Sequence, residues 1–427
     1  MVALAFLFGF ATAQSAGDDG NAFDLRAQRL VASPPFKAAV AAFERDFDRY
    51  VRDLVTLTEI PAAPFGEDAW ANAYLAMMVE AGLDRVTLDG VGNAIAIWRG
   101  GGGVPLVAVG TRLDTAFLAG TDMKAKRAGS TLRAPVVGDN ARRLAFLLAA
   151  VRAMRAAEIQ PSTDILFVAA VGEEGTGDLR GMRYFFTEGE WRDRVLRFIV
   201  IDGSSNDFIT NGAQGSLRYR VTFKGAGLHP EGTSGQVSPV LATAMGNAIT
   251  NLGRLVVPRQ PLVSYSVRVV SGGTPINSNP FEATMEVDLR STSPGELKDV
   301  DAQFQRIVRE AVAEENQAPA TTVDRISAEA KLIGSRPAGV TPTDSPLLQQ
   351  VTATMKRFEK VPVWQTGSTD VSIPISRGIP AFAMATQSAS QGGRAHSPAE
   401  WTVAAKTAAV KDFALALAIL LTVFDLP

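Results

Sequence analysis

The stretch TDILFVAAVGEEG, residues 163–175, is a continuous apolar run that ends abruptly in glycine and two glutamates. Such a run, without polar alternation, is typical of a strand buried on both faces of a sheet. Two more runs have the same form, VPLVAVGTRLD at 104–114 and RFIVIDG at 197–203. They alternate with helical patterns such as NARRLAFLLAAVRAMRAAEI at 140–159. The sequence therefore predicts an α/β fold whose sheet is mostly parallel, with helices on both faces.

The pattern changes in the middle of the chain, between residues 214 and 328. Six segments follow one another there as strand, helix, strand, strand, helix and strand. They are SLRYRVTFKG (216–225), SPVLATAMGNAITNLGRL (238–255), LVSYSVRVVSGG (262–273), FEATMEVDLRS (281–291), PGELKDVDAQFQRIVREAVAEEN (294–316) and TTVDRISAEA (321–330). This βαββαβ order is that of a ferredoxin-like domain. We therefore predict that a domain at 214–328 is inserted into a larger, discontinuous domain at 30–213 and 329–427.

Composition excludes several classes of site and partner. The chain has 427 residues, more than one core usually supports, which agrees with two domains. It has no cysteine, so disulfides, iron–sulfur clusters and thiolate zinc sites are excluded. The net charge is −2 and no basic patch is visible, so we expect neither nucleic acid nor a membrane surface as a partner.

The N-terminus, MVALAFLFGFATAQSAG, has an apolar core followed by small residues. This pattern is typical of a secretory signal peptide with its cleavage site, which we place at residues 1–16. A short buried helix is the alternative. The signal predicts a periplasmic or secreted protein.

Acidic residues follow each of the predicted buried strands. Asp114 follows the first, Glu173 and Glu174 the second, and Asp202 the third. Ligands of open α/β sheets bind beyond the carboxyl ends of the strands. Asp139 immediately precedes a helix, where N-capping is the alternative function. Because neighbouring carboxylates repel one another unless a cation or strong donors hold them, a group of this size indicates a bound metal.

One of the two histidines, His396, lies in GGRAHSPAEW, after the apolar run IPAFAMAT. A single loop histidine is usually solvated, but this one again follows the carboxyl end of a predicted strand. Carboxylate and imidazole ligands without thiolate suit zinc, with manganese and cobalt as alternatives. Of the adjacent glutamates in GEEG, one can bind a metal while the other serves as a general base.

The order Leu-Asp (113–114), Gly-Asp-Asn (138–140), Glu-Glu-Gly (173–175), Asp-Gly (202–203) and His396 resembles a known family. This is the aminoacylase, carboxypeptidase G and succinyl-diaminopimelate desuccinylase family of co-catalytic zinc hydrolases. The resemblance extends over nearly all of the chain after the signal. It implies a zinc-exopeptidase-like catalytic domain and an inserted lid domain that also forms a homodimer. The further motifs that fit are APVVGDNARR, VGEEGTGDLRGM, GGTPINSNP, VDLRS, SRPAG and QTGSTD.

The resemblance implies a set of metal ligands and a catalytic base. Asp139 would bridge two metals. Glu174 and His396 would complete one metal site, and Asp202 would serve the other. Glu173 would be the general base that deprotonates the attacking water.

It also implies supporting roles around these ligands. Asp114 would orient a histidine two residues before it. His229, in GAGLHPEG, would reach the partner subunit's site and polarise the scissile carbonyl. The peptide bond between Asp139 and Asn140 would be cis, to direct the bridging carboxylate.

Three further residues resemble groups that hold the substrate's carboxylate or carbonyl oxygen: Asn277, Arg290 and Arg336. Hydrogen bonds within the lid and surface charge are the alternative functions of these three. The implied substrates are N-acyl amino acids or short peptides.

The chain departs from the family at Arg112, where the family has a metal-binding histidine. Arginine has no acceptor and stays protonated in proteins, so it cannot coordinate zinc. The first metal site keeps only Asp139 and Asp202. The second, with Asp139, Glu174 and His396, is complete, so we expect one zinc ion and leave a second open.

Two functions follow from this departure. The first is a metal-dependent hydrolase of amide bonds in which Arg112 replaces one metal electrostatically. The alternative is a non-hydrolytic binding protein on the same fold. Retention of Glu173, His396 and His229 favours the hydrolase. A serine hydrolase and a nucleotide-binding protein are disfavoured, because the chain lacks both G-x-S-x-G and a phosphate loop.

Overall fold

The computed structural model describes residues 16–101, 105–225, 240–274, 280–317 and 325–424. The α-helices are α1 Ala16–Ala32, α2 Pro34–Arg45, α3 Phe47–Thr58, α4 Asp68–Glu80, α5 Asn140–Ala156, α6 Arg180–Thr187, α7 Leu241–Gly253, α8 Pro294–Asn316, α9 Pro346–Lys356, α10 Ser372–Ser376 and α11 Lys406–Val423. The strands are β1 Asp84–Leu88, β2 Ala94–Trp98, β3 Pro105–Arg112, β4 Lys126–Ala128, β5 Thr131–Arg133, β6 Asp164–Ala170, β7 Arg197–Ile201, β8 Phe208–Ala213, β9 Gly215–Lys224, β10 Val263–Gly272, β11 Glu282–Ser291, β12 Ser327–Arg336, β13 Gly339–Val340, β14 Val363–Gly367, β15 Ala381–Met384, β16 Gly392–Gly393 and β17 Trp401–Val403. Except for Ala16, the predicted signal peptide lies outside the described residues.

The central sheet has the strand order β1-β2-β6-β3-β7-β15-β8-β13, and β14 also pairs with β8. Its middle strands β6, β3, β7 and β15 are parallel. Antiparallel pairing begins on either side, between β2 and β6 and between β15 and β8. The predicted α/β class is confirmed, and the sheet is mixed because antiparallel strands flank its parallel centre.

Both faces of this sheet are covered by helices, which explains the unbroken apolar runs. Along β6, Ile165, Phe167 and Ala169 belong to a core shared with α2, α3, α4, α5 and α11. The intervening Leu166 and Val168 belong to a second core, on the opposite face, shared with α6 and α10. Because neither face of the strand meets water, the positions from Ile165 to Ala170 do not favour polar residues.

A second sheet, formed by β9 to β12, has the order β10-β11-β9-β12, and all its neighbours are antiparallel. Helices α7 and α8 pack against it around a separate core that includes Phe223 and Phe304. We call this unit the lid. Its elements follow the chain in the predicted βαββαβ order. The predicted boundary at residue 328 falls inside β12, which continues to Arg336.

A third, small sheet joins distant parts of the chain in the order β16-β17-β5-β4. It brings the segment that carries His396, between β16 and β17, close to the segment that precedes α5. Within the part of the chain that the structure describes, no helix is both long and apolar enough to cross a bilayer.

Candidate active site

Three neighbouring parallel strands deliver the charged residues to one edge of the central sheet. Strand β3 lies between β6 and β7, with Arg112 at its carboxyl end opposite Ala170. Glu173 follows β6 and Asp202 follows β7. These side chains line a cavity of about 630 Å³ together with others from both the catalytic unit and the lid. The predicted position of the site, beyond the strand ends, therefore coincides with a cavity.

A glycine turn after β6 presents the two glutamates. Gly172 has φ +65°, and a side chain there would meet Cγ of Arg180 at 2.5 Å. Beyond this turn, Asp114 accepts a hydrogen bond at 2.7 Å from the backbone N–H of Glu174. Asp114 was predicted to orient a histidine at position 112, but that residue is arginine in this chain. The carboxylate of Asp114 instead holds the loop that carries Glu173 and Glu174.

Arg112 is buried at the centre of the carboxylates. Its Nη1 donates to Glu173 Oε2 and, at 2.6 Å, to Glu174 Oε1. Its Nη2 lies 3.2 Å from Asp139 Oδ1 and 3.8 Å from Asp202 Oδ1. Burial alone would lower the pKa of Arg112, but the surrounding carboxylates outweigh it and hold that pKa well above its usual range. The guanidinium is therefore a permanent cation in this cluster.

A second buried cation, Arg143, joins the same cluster. Its Nη1 contacts Asp139 Oδ1 and lies 2.9 Å from Asp202 Oδ1. Burial would raise the pKa of both aspartates, but Arg143 and Arg112 hold it below the usual range. Sequence reasoning missed Arg143. The sequence feature that could have identified Arg143 is its position four residues after Asp139, because residues four apart lie on the same side of a helix.

Asp139 does not cap α5, because its side chain accepts no capping hydrogen bond from the helix. Instead, Oε1 of Glu400 accepts hydrogen bonds from the backbone N–H groups of Gly138 and Asp139, both at 2.7 Å.

The predicted cis bond between Asp139 and Asn140 is wrong. Among the described residues the cis bond is Gln260–Pro261. A non-proline cis bond costs roughly 3 kcal/mol. In this chain Arg112 and Arg143 hold the carboxylate of Asp139 in the cluster while the peptide bond is trans, so that cost does not arise.

His396 lies at the open side of the cluster, with about half of its side chain exposed. Its Nε2 is 3.1 Å from both Asp139 Oδ2 and Glu174 Oε1. Hydrogen bonds to Asp139 and Glu174 raise the pKa of His396 to about 10. The three ligand atoms lie within 4.8 Å of one another, close enough to bind one ion.

The two metal positions implied by the family differ in how well this chain fits them. Two carboxylates and an imidazole, from Asp139, Glu174 and His396, are a suitable donor set for zinc or a similar divalent ion. The other position would have only two carboxylates, from Asp139 and Asp202, because Arg112 lies beside them and has no acceptor to offer as a third donor. A metal fits the first of these positions and does not fit the second.

Glu173 and two predicted substrate-binding arginines are held by contacts within the chain. Arg336 is buried, and its Nη1 donates to Glu173 Oε1 at 2.7 Å while its Nη2 donates to the Glu173 carbonyl at 2.5 Å. Arg290 lines the cavity and donates through Nε to Asp288 Oδ2 at 2.9 Å. The structure therefore pairs both arginines with carboxylates of the chain itself.

The other two predicted lid residues, His229 and Asn277, lie outside the described residues, and their roles stay predictions.

One residue that the sequence did not single out is Asp370, at the end of the motif QTGSTD. It is buried, and neither of its oxygens has a hydrogen-bond partner among the described residues. Burial and the nearby charge of Glu173 raise the pKa of Asp370 well above its usual range.

Replacing Arg143 with methionine is expected to lower the free energy of unfolding by about 3–5 kcal/mol. The change leaves Asp139 and Asp202 buried with one guanidinium fewer. Arg85→Met is the matched control, because Arg85 forms an exposed ion pair with Glu190 and should cost at most about 1 kcal/mol. Denaturant unfolding of both variants measures the difference. Equal, small losses would show that Arg143 does not neutralise the cluster.

Comparison with known proteins finds similarity at the level of family and of fold. The model for peptidase family M20/M25/M40 matches residues 113–423. No curated protein sequence matches the chain.

Solved structures of low sequence identity share the fold. Aminopeptidase PepT from Bacillus cereus is 17% identical, with a TM-score of 0.69 over 88% of this chain and 98% of its own. Bacillus subtilis YXEP, described as a dinuclear metal-binding peptidase, is 18% identical, with a TM-score of 0.63 over 89% and 99%. Human carnosine dipeptidase 1 is 14% identical, with a TM-score of 0.68 over 92% and 100%.

Proposed function

The chain belongs to peptidase family M20/M25/M40, and from this premise we propose that it hydrolyses the amide bond of short peptides or N-acyl amino acids with one divalent metal ion. The observation that carries the proposal is the position of Arg112, whose guanidinium lies 3.2 Å from Asp139 and 3.8 Å from Asp202, the two carboxylates of the second position. A fixed positive charge at this point balances the acidic cluster as a metal would.

The ion would be held by Asp139, Glu174 and His396, where it would supply Lewis-acid polarisation of the scissile carbonyl. The chain's own residues perform the other tasks. Arg112 adds positive charge beside the same carboxylates. Cations oriented in advance, in a site with little water, stabilise negative charge that develops during acyl transfer.

Glu173 is the proposed proton acceptor. Each of its oxygens accepts one hydrogen bond from a guanidinium, Oε1 from Arg336 and Oε2 from Arg112. An ionised carboxylate has about four lone-pair positions, so these two contacts orient Glu173 and leave others for the proton of a water. Orientation by Arg336 and Arg112 thus supports the general-base role.

A binding protein without hydrolytic activity is the second candidate. The same observation supports it, since Arg112 and Arg143 neutralise Asp139 and Asp202 without any metal. In that case the cavity would bind a peptide or an acylated amino acid and release it unchanged.

Metal analysis of the purified protein, followed by a hydrolysis screen, tests the proposal. After dialysis against zinc, manganese or cobalt, we expect about one tightly bound ion per chain. That ion should stimulate hydrolysis of at least one member of a panel of dipeptides and N-acyl amino acids. A protein with neither metal nor turnover would favour the binding protein, and one with two tightly bound ions would contradict the assigned role of Arg112.

We also propose that the protein is exported and that two copies pair through the lid. The signal-like N-terminus supports export. Pairing is supported by the lid's edge strand β10, which exposes Val269 and Val270 along an edge that no described strand covers.

A further inference from the structure

A second cavity, of about 390 Å³, is lined by helix α11, by the loop between β7 and β8 and by the segment that follows α9. Among the described residues, it shares no lining residue with the cavity that contains Arg112. Part of its lining is apolar and consists of Phe358, Ala414 and Leu415. The remaining lining residues are polar or charged: Asn206, Lys360, Lys411 and Asp412. An apolar lining with a few polar groups is typical of sites for small ligands.

Asp412 supplies this cavity with a buried negative charge. Its side chain is 8% exposed, and no cation forms an ion pair with it within the described part of the chain. Its oxygens accept hydrogen bonds from neutral groups, Oδ1 from Nδ2 of Asn206 and Oδ2 from the backbone N–H of Ser388, each at 2.9 Å. These contacts leave lone pairs of the carboxylate unused. Because a buried charge is costly unless it is paired, Asp412 favours a cationic ligand.

Asn206 adds a second acceptor beside this carboxylate. It is 3% exposed, and while its Nδ2 donates to Asp412, its Oδ1 has no hydrogen-bond partner among the described residues. A buried carbonyl oxygen without a partner costs free energy that a ligand donor would recover. An ammonium group has three donors, enough for both Asp412 and Asn206. The two side chains together therefore suit a primary ammonium.

Lys411, the residue before Asp412 on α11, supplies a positive charge to the same cavity. It is exposed, and across the described ranges no acidic side chain forms an ion pair with it. The other lysine of the cavity, Lys360, is already ion-paired with Asp207. Lys411 is therefore the cation that can receive a ligand carboxylate. An ammonium, a carboxylate and an apolar group held near one another are the three parts of an apolar α-amino acid.

We propose that this cavity binds a free α-amino acid with an apolar side chain. The ammonium binds to Asp412 and Asn206, the carboxylate binds to Lys411, and the side chain packs against Phe358 and Leu415. The cavity is thus a second ligand site, separate from the one in which hydrolysis is proposed. The inference does not depend on hydrolysis, because none of its residues belongs to the cluster of carboxylates and arginines.

Calorimetry with L-leucine tests the inference. We expect saturable binding of L-leucine to the unmutated protein. The analogues 4-methylpentanoate, which lacks the ammonium, and L-leucinamide, which lacks the carboxylate, should each bind at least about 10-fold more weakly, since each loses hydrogen bonds between charged groups.

Lys411→Glu should weaken the binding of L-leucine by about 10-fold or more, because it places a negative charge where the carboxylate binds. Lys406→Glu is the matched control. Lys406 lies on the same helix and is also exposed, but it does not line the cavity, so the same change of charge should leave the affinity unchanged.

The inference is overturned if the unmutated protein does not bind L-leucine, or if either analogue binds as tightly as L-leucine. An unchanged affinity in Lys411→Glu would show that leucine binds elsewhere, the active site included, and would overturn it as well. Lys411→Gln provides a second variant should the reversal of charge disturb α11. No turnover is measured in these experiments, so failure of the proposed function would appear separately, as absent hydrolysis with leucine binding intact.

Discussion

Replacing Arg112 with histidine is expected to raise the number of tightly bound divalent ions from one per chain to two. The change removes the guanidinium that contacts Asp139 and Asp202 and introduces an imidazole, which can ligate zinc. Asp114, two residues further on, could accept a hydrogen bond from the new imidazole and orient it, as carboxylates do for many zinc-binding histidines. Elemental analysis of the purified variant counts the ions, and the hydrolytic rate should rise with the second ion.

Arg112→Gln separates the two effects of this substitution. Glutamine removes the positive charge but supplies no imidazole, so the second ion should bind tightly only in Arg112→His. Equal metal content in the two variants would show that residue 112 acts by charge alone. Two ions already bound to the unmutated protein would contradict the interpretation of Arg112 altogether.

Replacing Glu173 with glutamine is expected to lower kcat by about two to four orders of magnitude while metal binding is kept. The amide cannot accept the proton of a water, but it fills the same space between Arg112 and Arg336. The measurement compares kcat and metal content of the variant with those of the unmutated protein.

Glu174→Gln is the matched control for Glu173, because the two residues are adjacent and only Glu174 belongs to the cluster with Asp139 and His396. It should lose metal together with activity. If Glu173→Gln loses the metal and Glu174→Gln keeps it, the roles of the two glutamates are reversed. If Glu173→Gln keeps full activity, another group is the base.

The sequence predicted the fold class and the family because both depend on local patterns. Between their polar end residues, strands β3, β6 and β7 are apolar because both faces of the sheet are covered, and such runs are recognisable without a structure. The sequence did not reveal that antiparallel strands flank the parallel centre of the sheet. The direction in which β2 and β8 pair depends on contacts between segments distant in the chain, about which composition carries no information.

The candidate site was predictable as a set of residues but not as a network. Arg112 was identified by its departure from a motif, and its contacts agree with an ion-paired role. Arg143 and Asp370 were missed, because the role of a single arginine or aspartate here depends on the charges around it. The roles of the predicted ligands and of Glu173 stay predictions.

The two arginines buried among the carboxylates have a consequence for how the protein reaches its folded state. In sites built only from acidic and imidazole ligands, closing the site depends on the supply of ions, so folding is coupled to metal availability. Here Arg112 and Arg143 supply positive charge to Asp139 and Asp202, and both arginines are part of the chain itself. We therefore expect the chain to fold without a divalent ion and to bind one only afterwards.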